Sequence, residues 1–159
     1  MESKLNGKSW KFGDDISTDL IAPGRLFHLR TNLPELAKHV LEDADPEFPS
    51  KVQKGDFVVG GSNFGLGSSR EHAPTIIKIA GVGAVLAKSF ARIFYRNGIN
   101  VGLPLLICDT DLIDEGDELE VNLSAGTIND VTKGIELTFT PLPDVMIKIL
   151  QDGGLAAHI

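Results

Sequence analysis

The chain has 159 residues, a formal net charge of −7 at pH 7 and a single cysteine, Cys108. This length fits one domain over residues 1–159, and the negative charge disfavours nucleic acid and anionic membranes as partners. The lone thiol excludes an internal disulfide framework and a metal site built from this chain's thiolates alone, and we expect no metal bound by this chain. The polar start and the lack of a long apolar run predict a cytoplasmic protein.

Strands and helices alternate along the first two thirds of the chain. A long polar stretch from Ile16 to Thr31 is expected to be irregular, because its side chains show no apolar period. Gly98 is expected to cap the helix that precedes it. The predicted strands cover residues 10–12, 57–59, 84–87 and 103–107, and the predicted helices cover residues 34–44, 74–80 and 89–97.

After Asp109 the pattern changes to short alternating strands separated by polar turns. These strands are predicted over residues 118–123, 126–128 and 135–139. Pro143 then begins a last helix, which Gly153 and Gly154 stop. The fold class is therefore α/β, with a mixed sheet flanked by helices.

The most informative segment covers residues 60–72 and lies between a predicted strand and a predicted helix. Four glycines allow its backbone to approach a ligand and to adopt positive φ. Ser68, Ser69 and Arg70 come just before the helix, where free N–H groups favour an anion, and arginine grips a carboxylate with two hydrogen bonds. A serine beside an arginine and exposed amides is a candidate base. A tight turn with Ser68 or Ser69 as helix N-cap explains the same residues, while the nucleotide-binding fingerprints do not fit.

Four segments in order resemble the swivel domain of the aconitase superfamily. They are Gly13–Ile21, Asn63–Ala73, Lys88–Phe94 and Asn97–Leu105. The resemblance implies a swivelling β/β/α domain in a small subunit. It also implies a large catalytic subunit that carries a [4Fe-4S] cluster, so this chain binds no cofactor itself. Cys108 is accordingly expected to be a small core residue.

The resemblance also implies roles for individual residues in a dehydration and rehydration reaction. Ser68 corresponds to the catalytic base that removes a proton next to a carboxylate, and Ser69 and Arg70 correspond to residues that hold a substrate carboxylate. Supporting roles fall to Thr18, Asp19, Glu71 and His72. Ser89 and Arg92 belong to the third of the four segments. Core packing or helix capping is the first expectation for both, and a position near the site is the alternative.

The segment Phe27–Thr31 occupies the place where this family varies with substrate. His28, Leu29, Arg30 and Thr31 are therefore substrate-binding candidates. Arg30 favours an acid with a distal carboxylate, whereas Phe27 and Leu29 favour a branched alkyl group. Pairing of Arg30 with the large subunit, or exposure to solvent, remains open.

The implied substrate is a small di- or tricarboxylic acid of the malate type. Isomerisation of 2- and 3-isopropylmalate in leucine biosynthesis is the first expectation, with homoaconitate and 2,3-dimethylmalate as alternatives. A non-catalytic anion-binding module and a purely structural subunit are the alternatives of a different class. The chain alone is expected to be inactive, and self-association of the isolated chain through the surface meant for its partner is left open.

Overall fold

A computed structural model of the chain describes residues 4–67 and 72–154. The strands are β1 Lys4–Lys11, β2 Phe57–Val59, β3 Ala84–Ala87, β4 Leu105–Ile107, β5 Glu118–Asn122, β6 Thr127–Asp130 and β7 Ile135–Thr138. The helices are α1 Thr18–Ile21, α2 Leu33–Ala37, α3 Phe48–Lys51, α4 His72–Ile79, α5 Arg92–Asn100 and α6 Asp144–Gln151, with 3-10 helices at Gly24–Thr31 and Thr110–Leu112. Within these described ranges, no helix has the length and apolar character needed to cross a bilayer.

The seven strands form one mixed sheet in the order β4-β3-β2-β1-β5-β6-β7. The strands β4, β3, β2 and β1 are parallel to one another. The strands β1, β5, β6 and β7 pair antiparallel, so β1 belongs to both halves. β1 joins the two halves because Ser9–Lys11 pair with β2 while Lys4–Lys8 pair with β5. The predicted α/β class with a mixed sheet is confirmed.

The two faces of the parallel half support separate apolar clusters. In β2, Val58 packs into the cluster that holds the helices, whereas Phe57 and Val59 face the cluster enclosed by the antiparallel strands. Alternate side chains of a strand point to opposite faces, so a strand that is apolar throughout is buried on both sides. The sheet curls around the second cluster, and the N–H of Thr140 donates to the carbonyl of Ile107 at 2.9 Å.

The segment from Ile16 to Thr31 is not irregular, and the prediction was wrong there. It holds α1 and, over Gly24–Thr31, two short 3-10 turns that meet at a kink at Leu26. Runs this short carry too few apolar positions to show a helical period. Ser17 caps α1, since its Oγ accepts from the N–H of Leu20 at 3.2 Å. The helix predicted from Pro34 is also shorter than expected, because it ends at Ala37 and turns continue to residue 44.

Gly98 lies inside α5 and does not cap it, so the predicted end of the helix over residues 89–97 was wrong. The helix runs on to Asn100, and a Cβ at position 98 would overlap the side chain of Leu105 in β4. The glycine therefore permits close packing of helix on strand, a requirement of tertiary contact that local sequence does not reveal.

A buried pair of carboxyl groups lies in the antiparallel half. Asp130 is 0% exposed and Asp117 5% exposed, and Oδ2 of Asp130 meets no hydrogen-bond donor among the described residues. Burial, together with the hydrogen bond to Asp117, raises the pKa of Asp130. Burial also acts to raise the pKa of Asp117, but hydrogen bonds from Asp130 and from the N–H of Asp114, with the charge of Lys133, outweigh it and lower that pKa. The fold therefore separates the two pKa values, and a proton is held more tightly on Asp130 than on Asp117.

We expect Asp130→Asn to flatten the dependence of stability on pH. The pKa of Asp130 is raised in the fold, so its contribution is complete below the unfolded-state pKa and is lost as pH rises through the folded-state pKa. Asparagine keeps a donor toward Asp117 and cannot ionise. Urea unfolding from acidic to neutral pH should show the wild type losing stability over this window and the variant losing less. Asp130→Ala, which removes the carboxyl group that accepts from the N–H of Lys133, should be less stable than Asp130→Asn at acidic pH. Parallel curves for wild type and Asp130→Asn would contradict the raised pKa of Asp130.

Candidate active site

Three loops meet at one edge of the parallel half of the sheet. They follow the carboxyl ends of β1, β2 and β3 and are named here loop 1 (residues 12–18), the glycine loop (residues 60–67) and loop 3 (residues 88–91). The three strands are neighbours in the sheet, so their loops lie side by side. The carboxyl edge of such a sheet is where open α/β folds bind their ligands.

Loop 1 holds the glycine loop by backbone and side-chain hydrogen bonds, which include a long one of 3.5 Å from Nδ2 of Asn63 to Oδ1 of Asp15. The Oδ1 atom of Asp14 accepts from the N–H of Ser62 at 2.7 Å. Four more join backbone groups: Gly61 N–H to Gly13 O, Asp15 N–H to Ser62 O, Gly65 N–H to Ile16 O and Thr18 N–H to Leu66 O, at 2.7 to 3.0 Å. The first and second of the four signature segments are thus brought together.

Loop 3 holds the glycine loop from the other side. Ser89 accepts from two consecutive amides, with its Oγ 2.7 Å from the N of Asn63 and its carbonyl oxygen 3.0 Å from the N of Phe64. The N-cap of α5 is Ala91, so helix capping by Ser89 was a wrong expectation, and exposure of both Ser89 and Arg92 excludes core packing. Ser89 comes just after β3, the neighbour of β2 in the sheet. That position is the signal from which its contact with the glycine loop could have been predicted.

Each N–H of residues 60–65 donates to an acceptor within the chain. The Gly60 N–H completes the set by donating to Leu86 O at 2.7 Å. These amides are therefore committed to the fold and do not cradle a ligand. Any backbone N–H group that binds an anion in this segment must belong to a residue after Gly65.

Aromatic packing anchors the middle of the glycine loop. The fully buried ring of Phe64 makes edge contacts with Phe90 and Phe94, with ring centres 6.0 and 5.5 Å away. A Cβ at Gly60 would overlap the ring of Phe64, and a Cβ at Gly65 would overlap that of Phe94. These two glycines thus serve the packing of the loop itself, and Gly65 also has φ +87°.

Thr18 and Asp19 lie where the glycine loop ends. Thr18 is 2% exposed, and a Cβ at Gly67 would be 3.1 Å from its Oγ1. Asp19 is exposed in the first turn of α1. The chain passes Thr18 at Gly67, one residue before Ser68, so this threonine borders the predicted catalytic position.

Four of the predicted site residues lie outside the described residues, namely Ser68, Ser69, Arg70 and Glu71. Their roles remain predictions. The described chain stops at Gly67 beside loop 1 and resumes at His72, which is half-buried at the beginning of α4. Gly67 has φ +112°, a conformation that favours glycine over any residue with a Cβ.

The substrate-loop candidates lie on the 3-10 helix Gly24–Thr31. His28, Arg30 and Thr31 are exposed, whereas Leu29 is half-buried against the helix-side core. The guanidinium of Arg30 lies 4.3 Å from the ring centre of Phe27, and its Nη1 donates to the carbonyl of that residue at 3.2 Å. Arg30 and the 47% exposed Phe27 therefore form one surface that combines a cation with an apolar ring.

Cys108 does not fit as a ligand for an iron-sulfur cluster. It is 8% exposed within the core cluster enclosed by the sheet, as predicted for a small core residue. Burial, with a smaller contribution from Asp109, raises the pKa of its thiol to about 12, so the thiolate that a metal needs is disfavoured. Among the described residues, no three His, Cys, Asp or Glu side chains are grouped so as to hold a metal ion.

Comparison with known proteins identifies the class to which this fold and site belong. The family model of the aconitase C-terminal domain matches residues 27–109, which include the glycine loop and loop 3. The solved structure of 3-isopropylmalate dehydratase from Methanocaldococcus jannaschii superposes with a TM-score of 0.93 at 45% identity, covering 98% of this chain and 92% of that one. The chain belongs to the aconitase C-terminal domain family.

Within this family the chain is similar to small subunits of two named enzymes. It is 67% identical to 3-isopropylmalate dehydratase small subunit 2 of Archaeoglobus fulgidus, over 98% of this chain and 94% of the relative. A small subunit 1 with the same enzyme name, from Thermotoga maritima, is 60% identical over 98% and 94%. The methanogen homoaconitase small subunit of Methanothermobacter thermautotrophicus is 54% identical over 99% and 92%.

We expect Gly65→Ala to destabilise the chain more than an equivalent change outside the site. The variant must accept a positive φ and also displace the ring of Phe94, which together cost about 2–4 kcal/mol of unfolding free energy. Gly134→Ala is the matched control, since Gly134 has φ +68° with nothing within 4 Å of a Cβ. It should cost about 1 kcal/mol. Equal losses in urea unfolding would contradict the packing role of Gly65.

Proposed function

We propose that this chain is the small subunit of a [4Fe-4S] hydro-lyase that interconverts 2-isopropylmalate and 3-isopropylmalate in the leucine biosynthesis of the cytoplasm. The observation that carries the proposal is the convergence of loop 1, the glycine loop and loop 3 at the carboxyl edge of the sheet. Identities of 67% and 60% to subunits of that enzyme support the choice of reaction. In this proposal residues 1–159 act as one domain.

The part of the reaction that falls to this chain is proton transfer and substrate orientation. Ser68 removes the proton from the carbon next to a substrate carboxylate and returns a proton during rehydration. Ser69 and Arg70 hold a carboxylate, and Thr18 borders the entry to this segment at Gly67. A base that acts on carbon must be held close to its target, and a loop anchored by its own amides gives that placement before substrate binds.

The second half of the site belongs to a large subunit. The [4Fe-4S] cluster on that subunit supplies the Lewis acid that assists loss of the hydroxyl group. Cys108 is buried with a raised pKa, so this chain does not fit as the holder of the cluster. Turnover therefore requires both subunits, and the isolated small subunit has no activity.

A homoaconitase small subunit is the second candidate. The methanogen homoaconitase relative is 54% identical over nearly the whole chain. The exposed guanidinium of Arg30 suits an acid with a distal carboxylate, while the ring of Phe27 beneath it suits a branched alkyl group. The dimethylmalate reaction uses the same residues and stays a third choice within this class.

A non-catalytic anion-binding module is disfavoured by the glycine loop itself. The amides of residues 60–65 are committed to acceptors in the chain, so most of the loop does not offer donors to a phosphate or carboxylate. A purely structural subunit would not need residues 68–70 to carry two hydroxyls and a guanidinium.

We expect Ser68→Ala to abolish most turnover while leaving the complex intact. The chain is co-expressed with a large subunit, the cluster is reconstituted without oxygen, and turnover of isopropylmalate, homoaconitate and dimethylmalate is compared. Loss of the base should lower kcat by about 10²–10⁴-fold on the acid that the wild type uses.

Ser50→Ala is the matched control for this prediction. Ser50 is exposed at α3, where its Oγ donates to the carbonyl of Glu47 and not to a residue of the three loops. That variant should keep the wild-type kcat. Full activity of Ser68→Ala would remove the base assignment, and turnover by the small subunit alone would overturn the two-subunit proposal.

A further inference from the structure

Two side chains without a catalytic role in the proposal hold consecutive amides of the glycine loop. We propose that Asp14 and Ser89 are positioning residues that act together as a clamp, fixing the path of the chain toward the catalytic Ser68. Asp14 accepts from the N–H of Ser62 and Ser89 from that of Asn63, each at 2.7 Å. This inference rests on the proposed function, because its effect on turnover requires Ser68 to act as the base.

Asp14 fits tightly against the backbone that it holds. A Cβ at Gly61 would overlap the carboxylate of Asp14, so only glycine permits this approach. The carboxylate also lies in the field of Lys88, whose pKa is raised by its hydrogen bond to Asp111 and, further, by the charges of Asp111, Asp14 and Asp109. A charged acceptor makes the stronger hydrogen bond to an amide.

Ser89 stabilises a left-handed turn at Asn63. Asn63 has φ +60°, a conformation that asparagine adopts more readily than most other residues with a Cβ. The Oγ of Ser89 meets the N–H of this residue, while the carbonyl of Ser89 meets the next amide, that of Phe64. The hydroxyl and the carbonyl of one residue therefore set the turn of the glycine loop.

Each residue between the clamp and Gly67 is also held by contacts of its own. Phe64 is fixed by its aromatic neighbours, and the N–H of Gly65 donates to Ile16 O at 2.7 Å. Leu66 then pairs with Ser17 as a parallel bridge, and Gly67 lies against Thr18. The clamp supplies two of the contacts that together set where the described loop ends, at Gly67, so its loss loosens the approach to Ser68. A displacement near 1 Å is enough to slow a positioned reaction by about 10²-fold.

The clamp variants are suitable for testing because they should still fold. Asp14 and Ser89 are exposed, so neither hydrogen bond contributes to the buried core. Removing an exposed bond leaves its amide free to bond water, and no buried group is orphaned. Effects on turnover are then separable from loss of the folded chain.

The first experiment measures kcat and KM of the reconstituted two-subunit complex, per folded and assembled complex. We expect Ser89→Ala and Asp14→Ala to lower kcat by about 10–100-fold, with a smaller rise in KM because Ser69 and Arg70, proposed to hold the carboxylate, follow Ser68 on the same loop. Ser89→Thr and Asp14→Asn keep the acceptor atoms and should restore kcat to within about threefold of wild type. Ser50→Ala is the control without effect. Alanine variants at wild-type kcat, or conservative variants as slow as the alanine ones, would overturn the positioning role.

The second experiment needs no turnover. Amide hydrogen exchange of the small subunit, read by NMR, should be faster at Asn63 in Ser89→Ala and at Ser62 in Asp14→Ala by about tenfold or more. The amide of Val85, which donates to Pro104 O within the sheet, should be unchanged. Unchanged exchange at residues 62 and 63 would overturn the clamp. A wild-type complex without turnover would overturn the proposed function and the catalytic part of this inference, and exchange would still decide the clamp.

Discussion

The commitment of the glycine-loop amides to neighbouring loops is the constraint on which the site depends. A backbone N–H that leaves a strand must find a new acceptor, and here loop 1 and loop 3 provide acceptors on both sides. That arrangement requires three adjacent parallel strands whose carboxyl ends lie level. The parallel half of the sheet is therefore the part of the fold that builds the site.

The same constraint explains the glycines better than ligand binding does. Gly61 makes room for the carboxylate of Asp14, Gly60 for the ring of Phe64 and Gly65 for the ring of Phe94. Gly67 precedes Ser68, which is expected to touch substrate, and it lies against Thr18, which is expected to support the site. A glycine-rich motif is thus compatible with a rigid loop whose contribution is placement of the side chains that follow it.

Prediction from sequence succeeded where a pattern is local and failed where a contact across the fold decides. The apolar runs of β2 and β3 and the alternating strands after Asp109 were predicted correctly, because the burial of each strand follows the apolar pattern of its own residues. The capping roles expected of Gly98 and Ser89 were wrong, since packing against Leu105 on the adjacent strand and a hydrogen bond to Asn63, distant in the chain, determine what these residues do. The ordered signature segments correctly indicated the family, although no single segment showed that loops 1 and 3 enclose the glycine loop.

The double pairing of β1 has a consequence for how this chain tolerates change in length. Residues 4–8 are in register with β5, and residues 9–11 are in register with β2, immediately before loop 1. An insertion or deletion inside β1 reverses which side chains face the core on one side of the change, and it misaligns loop 1 with the glycine loop. The turns between β5, β6 and β7 carry no such double duty, so length variation among natural homologues should accumulate there and avoid β1.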